Sequence, residues 1–167
     1  MLIRPIKNED AEQIIKINED ISSSNSINLS RVDFTNTRKL IASLSPLDHM
    51  LIMETETPPE EICAVLLLRV DPQIYLRRLA TAELMVASKW QGQGIGKALL
   101  MAAIEMAEKE LMMERIEVEI SVDNVNALKL CKSLGFKVEG RAKDWALTND
   151  GKYIDAYMLA WCRQTVR

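Results

Sequence analysis

The sequence is poor in residues on which several common chemistries depend. His49 is the only histidine, and the three cysteines, Cys63, Cys131 and Cys162, are odd in number, widely spaced and in apolar surroundings. They form no Cys/His cluster, so neither a metal site nor a disulfide framework is expected, and a catalytic triad would depend on His49 alone. Such thiols are typical of a reduced, cytoplasmic protein in which cysteines act as small hydrophobes.

Long apolar runs and an excess of positive charge are also missing. The longest apolar run, residues 62–68, is far too short to span a bilayer, and the first five residues indicate a strand and not a signal peptide. The net charge is −3, so no general affinity for nucleic acid or for an anionic membrane is expected. The length of 167 residues predicts a single domain, residues 1–167.

The six glycines, by contrast, are concentrated, because three of them stand at alternate positions in one heptapeptide. This heptapeptide consists of Gln91, Gly92, Gln93, Gly94, Ile95, Gly96 and Lys97. A strand-forming run, residues 79–86, precedes it, and an amphipathic run, residues 98–110, follows it. Glycines remove the Cβ atoms that would keep a ligand off the backbone, and the loop N–H groups point the same way as the helix dipole. The segment predicts an anion cradle suited to phosphate, and a plain strand-to-helix turn is the alternative.

The spacing of these glycines excludes two better-known phosphate loops. A P-loop requires G-x-x-x-x-G-K-[ST], but Gln91 and Ala98 stand where its first glycine and its hydroxyl residue should be. The dinucleotide fingerprint G-x-G-x-x-G lacks its last glycine, whichever glycine begins it. What remains is the pattern Q-x-x-G-x-G between a strand and a helix.

Apolar periodicity predicts the element order β-α-α-β-β-β-α-β-α-β-β, an α+β fold with a mixed sheet and helices on its faces. Asn8 is expected to cap the first helix, and residues 62–70 form a strand covered on both faces. The clearest helix follows the glycines. Residues 116–122 alternate as a strand, and Asp123 or Asn124 caps a helix that ends at Leu134. Residues 136–141 and 153–161 form a final antiparallel pair.

The second half of the chain, residues 79–161, resembles the GCN5-related N-acetyltransferase (GNAT) superfamily. Q-x-x-G-x-G matches the family's acetyl-CoA signature, [RQ]-x-x-G-x-[GA], and the pattern N-x-x-A-x(6)-L-G-F follows from Asn124 to Phe136. Residues 140–157 further resemble bacterial members that acetylate free amino acids or small amines. The resemblance implies a mostly antiparallel, twisted sheet with splayed central parallel strands, and acetyl-CoA as cosubstrate without a metal.

The family resemblance also implies which residues contact acetyl-CoA. The pantetheine arm lies between two splayed strands, here residues 79–86 and 115–122. Backbone groups of Leu84, Met85 and Val86 are expected to hold the pantetheine and the acetyl carbonyl, and an N–H of Val86 or Met85 is expected to stabilise the oxyanion. The N–H groups of residues 91–97 would hold the pyrophosphate. Asn124 either bonds the pantetheine arm or simply caps its helix.

Acetyl transfer to an amine requires a base, because alkyl amines are mostly protonated at pH 7. Glu119 and Glu83 are the candidate bases, and Glu117, on the same face as Glu119, is a lesser one. The alternative for each is a solvated strand carboxylate.

The proton donor is where the sequence departs from the family pattern. Cys131 stands where family members commonly carry a tyrosine. Its thiol either protonates the leaving thiolate or packs inertly, and Tyr153 and Tyr157 are other phenol candidates.

The favoured function is acetyl transfer to a small primary amine, with a free amino acid as a candidate acceptor. A protein N-terminus or lysine is the rival acceptor, and residues 22–30 and 75–78 would decide whether the site is open enough for one. The alternatives outside the acetyltransferases are a non-catalytic acyl-CoA sensor and a nucleotide-binding domain. Hydrophobic terminal strands suggest a homodimer.

Overall fold

The sheet is organised around its most apolar strand. In the computed structural model, which describes residues 1–23, 32–73, 78–148 and 150–164, each residue of the run 62–68 is at most 1% exposed. This run lies in strand β3, Ile62–Val70, and its alternate side chains belong to hydrophobic clusters on opposite faces of the sheet. The prediction of a strand covered on both faces is confirmed.

The described residues form seven strands and four α-helices in the predicted order. The strands are β1 Leu2–Pro5, β2 Asp48–Glu54, β3 Ile62–Val70, β4 Leu79–Val86, β5 Arg115–Ser121, β6 Lys137–Leu147 and β7 Tyr153–Cys162. The helices are α1 Ala11–Ser23, α2 Thr37–Ser43, α3 Ile95–Lys109 and α4 Val125–Ser133. None of these helices is long and apolar enough to cross a membrane. Most of the predicted loops at 22–30 and 75–78, and Asn149, lie outside the described residues.

The seven strands form one mixed sheet in the order β1-β2-β3-β4-β5-β7-β6. Every neighbouring pair is antiparallel except β4 and β5, which are parallel because helix α3 carries the chain back between them. Helix α3 packs on one face of the sheet with Leu99 and Ala103, and α1 packs on the other with Ile14 and Ile17. The predicted α+β architecture is therefore confirmed.

The parallel strands β4 and β5 part shortly after they meet. They pair only at Leu79↔Arg115, Ala80↔Ile116 and Thr81↔Glu117. Beyond these residues β4 stays paired with β3 up to Val86, and β5 stays paired with β7 up to Ser121. Because each strand is held by its outer neighbour, a gap remains between their C-terminal halves, and we call this gap the slot.

One predicted helix cap was wrong. Asn8 does not cap the first helix, because it lies in a 3-10 turn, Asn8–Asp10, that Asp10 itself closes by accepting a hydrogen bond from Lys7 N at 2.7 Å. The helix predicted after the glycines begins at Ile95, where Gly94, in the left-handed conformation (φ 80°), is its N-cap.

A half-buried ion network ties β1 and β2 to the start of α1. The guanidinium of Arg4 donates to both carboxylate oxygens of Asp10 at 2.8 Å and to both oxygens of Glu54 at 2.7 and 2.8 Å. Burial alone would raise the pKa of Asp10, but the hydrogen bonds from Arg4 and from Lys7 N outweigh it and lower the pKa. The network is compensated only while all three side chains remain.

Replacing Arg4 should therefore destabilise the fold strongly. Arg4→Met leaves two buried carboxylates without their cation, and we expect a loss of about 3–5 kcal/mol in the free energy of unfolding at pH 7. Since the pKa of folded Asp10 is depressed, its stabilisation is present above its unfolded pKa of about 4 and is lost as the pH falls through the folded value. The difference between variant and parent should shrink in acid.

Urea unfolding at pH 7 and pH 3.5 measures both effects of removing Arg4. Arg38→Met is the matched control, because Arg38 pairs with Glu12 at 2.7 Å on the surface, where both side chains are more than half exposed. Its loss should be at most about 1 kcal/mol. Equal losses in the two variants would contradict the account of the Arg4 network.

Candidate active site

The glycine-rich loop presents a row of unused backbone N–H groups. Gly92 and Gly94 have φ values of 74° and 80°, which only glycine adopts without strain. The first N–H after Gln91 to find an acceptor in the main chain is that of Ala98, which donates to Gly94 O at 3.0 Å. Within the described ranges, the N–H groups of residues 92–97 have no hydrogen-bond acceptor, and they lie at the positive end of α3. This arrangement fits a phosphate group.

Gly96 sets how closely this cradle lies against the sheet. A Cβ at position 96 would stand 3.1 Å from Cγ2 of Val86 and 3.4 Å from Cδ2 of Leu84, so the first turn of α3 rests directly on the end of β4. The side chain of Gln91 adds a second tie, because its Nε2 donates to Val86 O at 3.0 Å. The loop is thus fixed at the mouth of the slot.

The main chain of β4 faces the slot at every second residue. Alternate residues of a strand direct their N–H and C=O groups to opposite neighbours. Ala87 N donates to Cys63 O in β3 at 2.9 Å, so Met85, two residues earlier, also directs its main-chain groups to β3. Leu84 and Val86 therefore direct theirs into the slot. The family resemblance suggests the N–H of Val86 or of Met85 as the donor to the oxyanion. Only the N–H of Val86 points into the slot.

Three adjoining cavities extend through the slot from one face of the sheet to the other. The glycine groove, of about 470 Å³, contains every expected cofactor residue except Gln93, whose side chain instead donates to Lys89 O at 2.8 Å. These are Leu84, Met85, Val86, Gln91, Gly92, Gly94, Ile95, Gly96, Lys97 and Asn124. The slot itself holds a cavity of about 100 Å³. The glutamate cavity, of about 350 Å³, lies on the other face and contains Glu83, Glu117 and Glu119.

Shared lining residues show that the three cavities adjoin one another. Four side chains line both the glycine groove and the slot, namely Leu84, Asn124, Ala127 and Leu130. Four others line both the slot and the glutamate cavity, namely Ala82, Glu83, Val118 and Glu119. Glu83 and Glu119 therefore stand on opposite strands at the point where the slot opens into the glutamate cavity.

Glu119 has a partner that sequence reasoning did not find. Nε1 of Trp145 in β6 donates to Oε2 of Glu119 at 3.1 Å, across the intervening strand β7. Trp145 reaches it because β6 is irregular between Ala142 and Ala146, where Asp144 adopts a φ of 49°. This irregularity also explains why β6 runs on to Leu147 and not only to residue 141 as predicted.

Asp155 on β7 holds the bulge that places Trp145. Its Oδ1 accepts from Asp144 N at 2.9 Å, and its Oδ2 accepts from Nε of Arg141 at 2.7 Å. These hydrogen bonds, that from Asp144 N above all, lower the pKa of Asp155, so the carboxylate stays charged and the bulge stays closed across the neutral range.

The lesser base candidate, Glu117, is paired with Arg115, whose Nε donates to its Oε1 at 2.6 Å.

Asn124 caps a helix and also lines the slot. Its Oδ1 accepts from Ala127 N at 3.1 Å, which makes it the N-cap of α4. Its side chain also lines both the slot and the glycine groove, and within the described residues its amide nitrogen has no acceptor. The amide N–H₂ group is thus available to a ligand while the oxygen caps the helix.

Cys131 lines the slot but is poorly suited to proton transfer. Its side chain is 5% exposed, and burial raises its pKa to about 12.

No group of three or more side chains that could bind a metal ion was found in the parts of the chain that the structure describes. His49 lies on β2, opposite Leu68.

The fold and this site together form a scaffold that could fit a phosphate on its glycine loop and an extended arm between its parted parallel strands. A family model described as an acetyltransferase (GNAT) domain matches residues 3–158. The chain therefore belongs to the GNAT acetyltransferase family.

Two curated relatives match part of the chain. The L-amino acid N-acetyltransferase AaaT of Escherichia coli (strain K12) is 41% identical over 95 residues, 56% of this chain and 58% of that protein. The spermidine N(1)-acetyltransferase of Vibrio cholerae is 28% identical over 81 residues, 48% of this chain and 46% of that protein. The matches thus span only about half of each relative's length.

Solved structures support the fold over nearly the whole chain. A ribosomal-protein-alanine N-acetyltransferase from Brucella melitensis superposes with a TM-score of 0.83 at 22% identity, covering 98% of this chain and 100% of that one. A putative acetyltransferase from Salmonella typhimurium, solved with its cofactor acetyl-CoA, superposes with a TM-score of 0.82 at 18% identity, covering 99% and 96%. At these identities the likeness establishes the fold alone.

Proposed function

We propose that the protein is an N-acetyltransferase that moves the acetyl group of acetyl-CoA directly to the primary amine of a small molecule, with a free amino acid as the leading candidate. The observation that carries this proposal is that three cavities adjoin along the gap between β4 and β5. A phosphate-binding groove and a carboxylate-lined cavity lie on opposite faces of the sheet, and the slot joins them. A cosubstrate and an acceptor entering from opposite faces would meet at Glu83 and Glu119.

The residues of the glycine groove fit acetyl-CoA, which supplies an activated thioester when bound. The N–H groups of residues 92–97 would hold its pyrophosphate, and Lys97, in the first turn of α3, adds positive charge at the same edge. The main-chain groups of Leu84 and Val86 would pair with the pantetheine as an added strand would, and the amide of Asn124 can donate to it from the other wall.

Glu119 is the proposed general base. It lines the cavity in which the acceptor amine would sit, where it could take a proton from the amine directly or through a water, and the N–H of Trp145 donates to its Oε2 at 3.1 Å. Glu83, on the opposite strand, is the rival base. The N–H of Val86 would stabilise the negative charge that forms on the acetyl oxygen during attack.

Cys131 is proposed to pack rather than to act as the acid. The thiol released in the reaction has a reference pKa of roughly 8.5, and a donor with a pKa of about 12 would give up its proton only uphill. We therefore expect solvent to protonate the leaving thiolate.

Cys131→Ala should accordingly leave kcat within about threefold of the parent value, since no proton transfer is lost. Cys63→Ala is the matched control, because Cys63 is also fully buried but lines none of the three cavities. Steady-state assays and melting curves of both variants measure the effect. A fall in kcat of more than about 30-fold in the first variant alone, at an unchanged melting temperature, would make Cys131 the acid.

The rival proposals are an acceptor on a protein and a non-catalytic acyl-CoA sensor. The absence of a tyrosine at position 131 favours a sensor, and the two glutamates at the mouth of the slot favour an enzyme.

We further propose that the protein is a cytoplasmic homodimer. Its interface would use the exposed apolar residues Val138, Leu147 and Tyr153 of the terminal hairpin, and light scattering would measure the mass of the assembly.

A thermal-shift screen with acetyl-CoA, followed by mass detection of products from a pooled library of amines and amino acids, tests the function. We expect stabilisation by acetyl-CoA and an acetylated small amine. Stabilisation without thiol release from any pool would support the sensor, and products formed only with peptides would support the protein acceptor. Protection by ATP or NAD but not by coenzyme A would indicate a nucleotide-binding domain.

A further inference from the structure

The glutamate cavity also contains an arginine on the same face of the sheet as Glu119, two strands away. Arg69 lies on β3 and pairs in register with Thr81 on β4, while the next inward-facing pair along the same strands is Leu67 with Glu83. Side chains two residues apart on a strand share a face and are separated by roughly 7 Å. Arg69 therefore lies on the face of the sheet that carries Glu83, one strand across and two residues along from it.

Arg69 has hydrogen-bond donors to spare. Its Nε donates to Oδ1 of Asp48 at 3.1 Å, and Asp48 is held in turn by Ser45 N at 2.8 Å. Neither terminal nitrogen of Arg69 has a partner within the described residues. The second arginine of the cavity, Arg115, is by contrast engaged by both Glu117 and Glu139. Asp48 orients Arg69 through Nε alone, so within the described residues both terminal nitrogens of this cavity-lining side chain remain available to a ligand.

We propose that Arg69 binds the α-carboxylate of an amino-acid acceptor while Glu119 and Glu83 receive its amine. This inference deepens the function proposed above and rests on it. A bidentate guanidinium–carboxylate pair fixes both position and orientation, and the short separation between the amine and carboxylate of an α-amino acid matches a cation and a base on one cavity wall. The carboxylate is anchored on β3, and the amine points to the slot.

The same arginine disfavours acceptors that carry only positive charge. A polyamine drawn to the glutamates would extend a second ammonium group along the cavity towards Arg69, where like charges repel. A zwitterion meets complementary charge at both of its ends. The arginine thereby selects the class of acceptor without contacting the reacting atoms.

Three acceptors that differ at the position of the carboxylate test this assignment. L-leucine, L-leucinamide and isoamylamine share the side chain and the amine, but only leucine has a carboxylate. For the parent protein we expect kcat/KM for leucine to exceed that for isoamylamine by about 100-fold or more. Arg69→Met should lower the leucine value about 100-fold, chiefly through KM, and leave the isoamylamine value within about twofold. Arg69→Lys should recover part of the loss.

The isoamylamine rate and the affinity for acetyl-CoA report whether each variant is folded, and Arg38→Met is the surface control. Equal losses for leucine and isoamylamine in Arg69→Met would overturn the assignment, as would a parent protein that prefers spermidine to leucine. If the parent protein acetylates no amine at all, the proposed function fails together with this inference. If amines are acetylated but Arg69→Met does not discriminate among them, only the inference fails.

Discussion

Glu119→Gln is expected to lower kcat/KM about 10²- to 10⁴-fold, the range usually lost with a general base. The substitution keeps the size of the side chain and an oxygen that can accept the hydrogen bond from Trp145, so the wall of the slot should keep its shape. What is removed is the ability to take a proton from the acceptor amine. Affinity for acetyl-CoA, measured by calorimetry, should remain within about twofold, because the glycine groove is untouched.

Two matched variants test whether Glu119, and not a neighbouring carboxylate, is the general base. Glu117→Gln removes a carboxylate from the same strand and the same cavity, but that carboxylate is paired with Arg115 and should matter less than tenfold. Glu83→Gln tests the rival base on the opposite wall. If Glu83→Gln loses most of its activity while Glu119→Gln retains it, Glu83 and not Glu119 is the general base. If neither falls more than tenfold, proton removal depends on water alone.

Gly94→Ala is expected to weaken acetyl-CoA binding about 10- to 100-fold. A Cβ at this position meets no protein atom within 4 Å, so it causes no clash within the protein, but it would stand in the groove where the pyrophosphate is proposed to lie. Losing one or two charge-assisted hydrogen bonds from the loop accounts for roughly 1.5–3 kcal/mol, which corresponds to that change in Kd. Isothermal calorimetry with acetyl-CoA measures it.

Gly151→Ala provides the matched control for Gly94. Gly151 has a φ of 79°, nearly the same as Gly94, and a Cβ there also meets nothing within 4 Å, but it lies in the turn between β6 and β7. Both variants should lose a similar stability, about 1–2 kcal/mol, because alanine is strained in this conformation. Only Gly94→Ala should lose affinity. A parallel loss of affinity in both variants would show that destabilisation, and not the cradle, is responsible.

The features that could be predicted from the sequence are those that depend on the spacing of neighbouring residues. Three alternate glycines after a strand-forming run specify a left-handed loop and an exposed helix start, and the structure has both. The uninterrupted apolar run of β3 predicts a doubly covered strand, and its burial confirms this prediction. The slot between β4 and β5 was expected only through the family resemblance, because nothing in either strand's own sequence says where their pairing stops.

The features that sequence reasoning missed depend on register between distant segments. Arg69 joins Glu83 in one cavity because β3 and β4 pair with a particular offset, which a single sequence does not reveal. Trp145 reaches Glu119 across β7 through a bulge that Asp155 closes, and no local motif marks that bulge. The charge and hydrogen-bond partners of a candidate base are thus set by tertiary structure even where its identity is readable from the chain.

The most direct test of the central claim is a crystal structure of the protein with coenzyme A. The account predicts the pyrophosphate within hydrogen-bond distance of the N–H groups of residues 92–97, the pantetheine between β4 and β5 beside Leu84 and Val86, and the thiol near Glu119. A structure in which β4 and β5 pair beyond Thr81 and Glu117, with coenzyme A bound elsewhere or not at all, would contradict it.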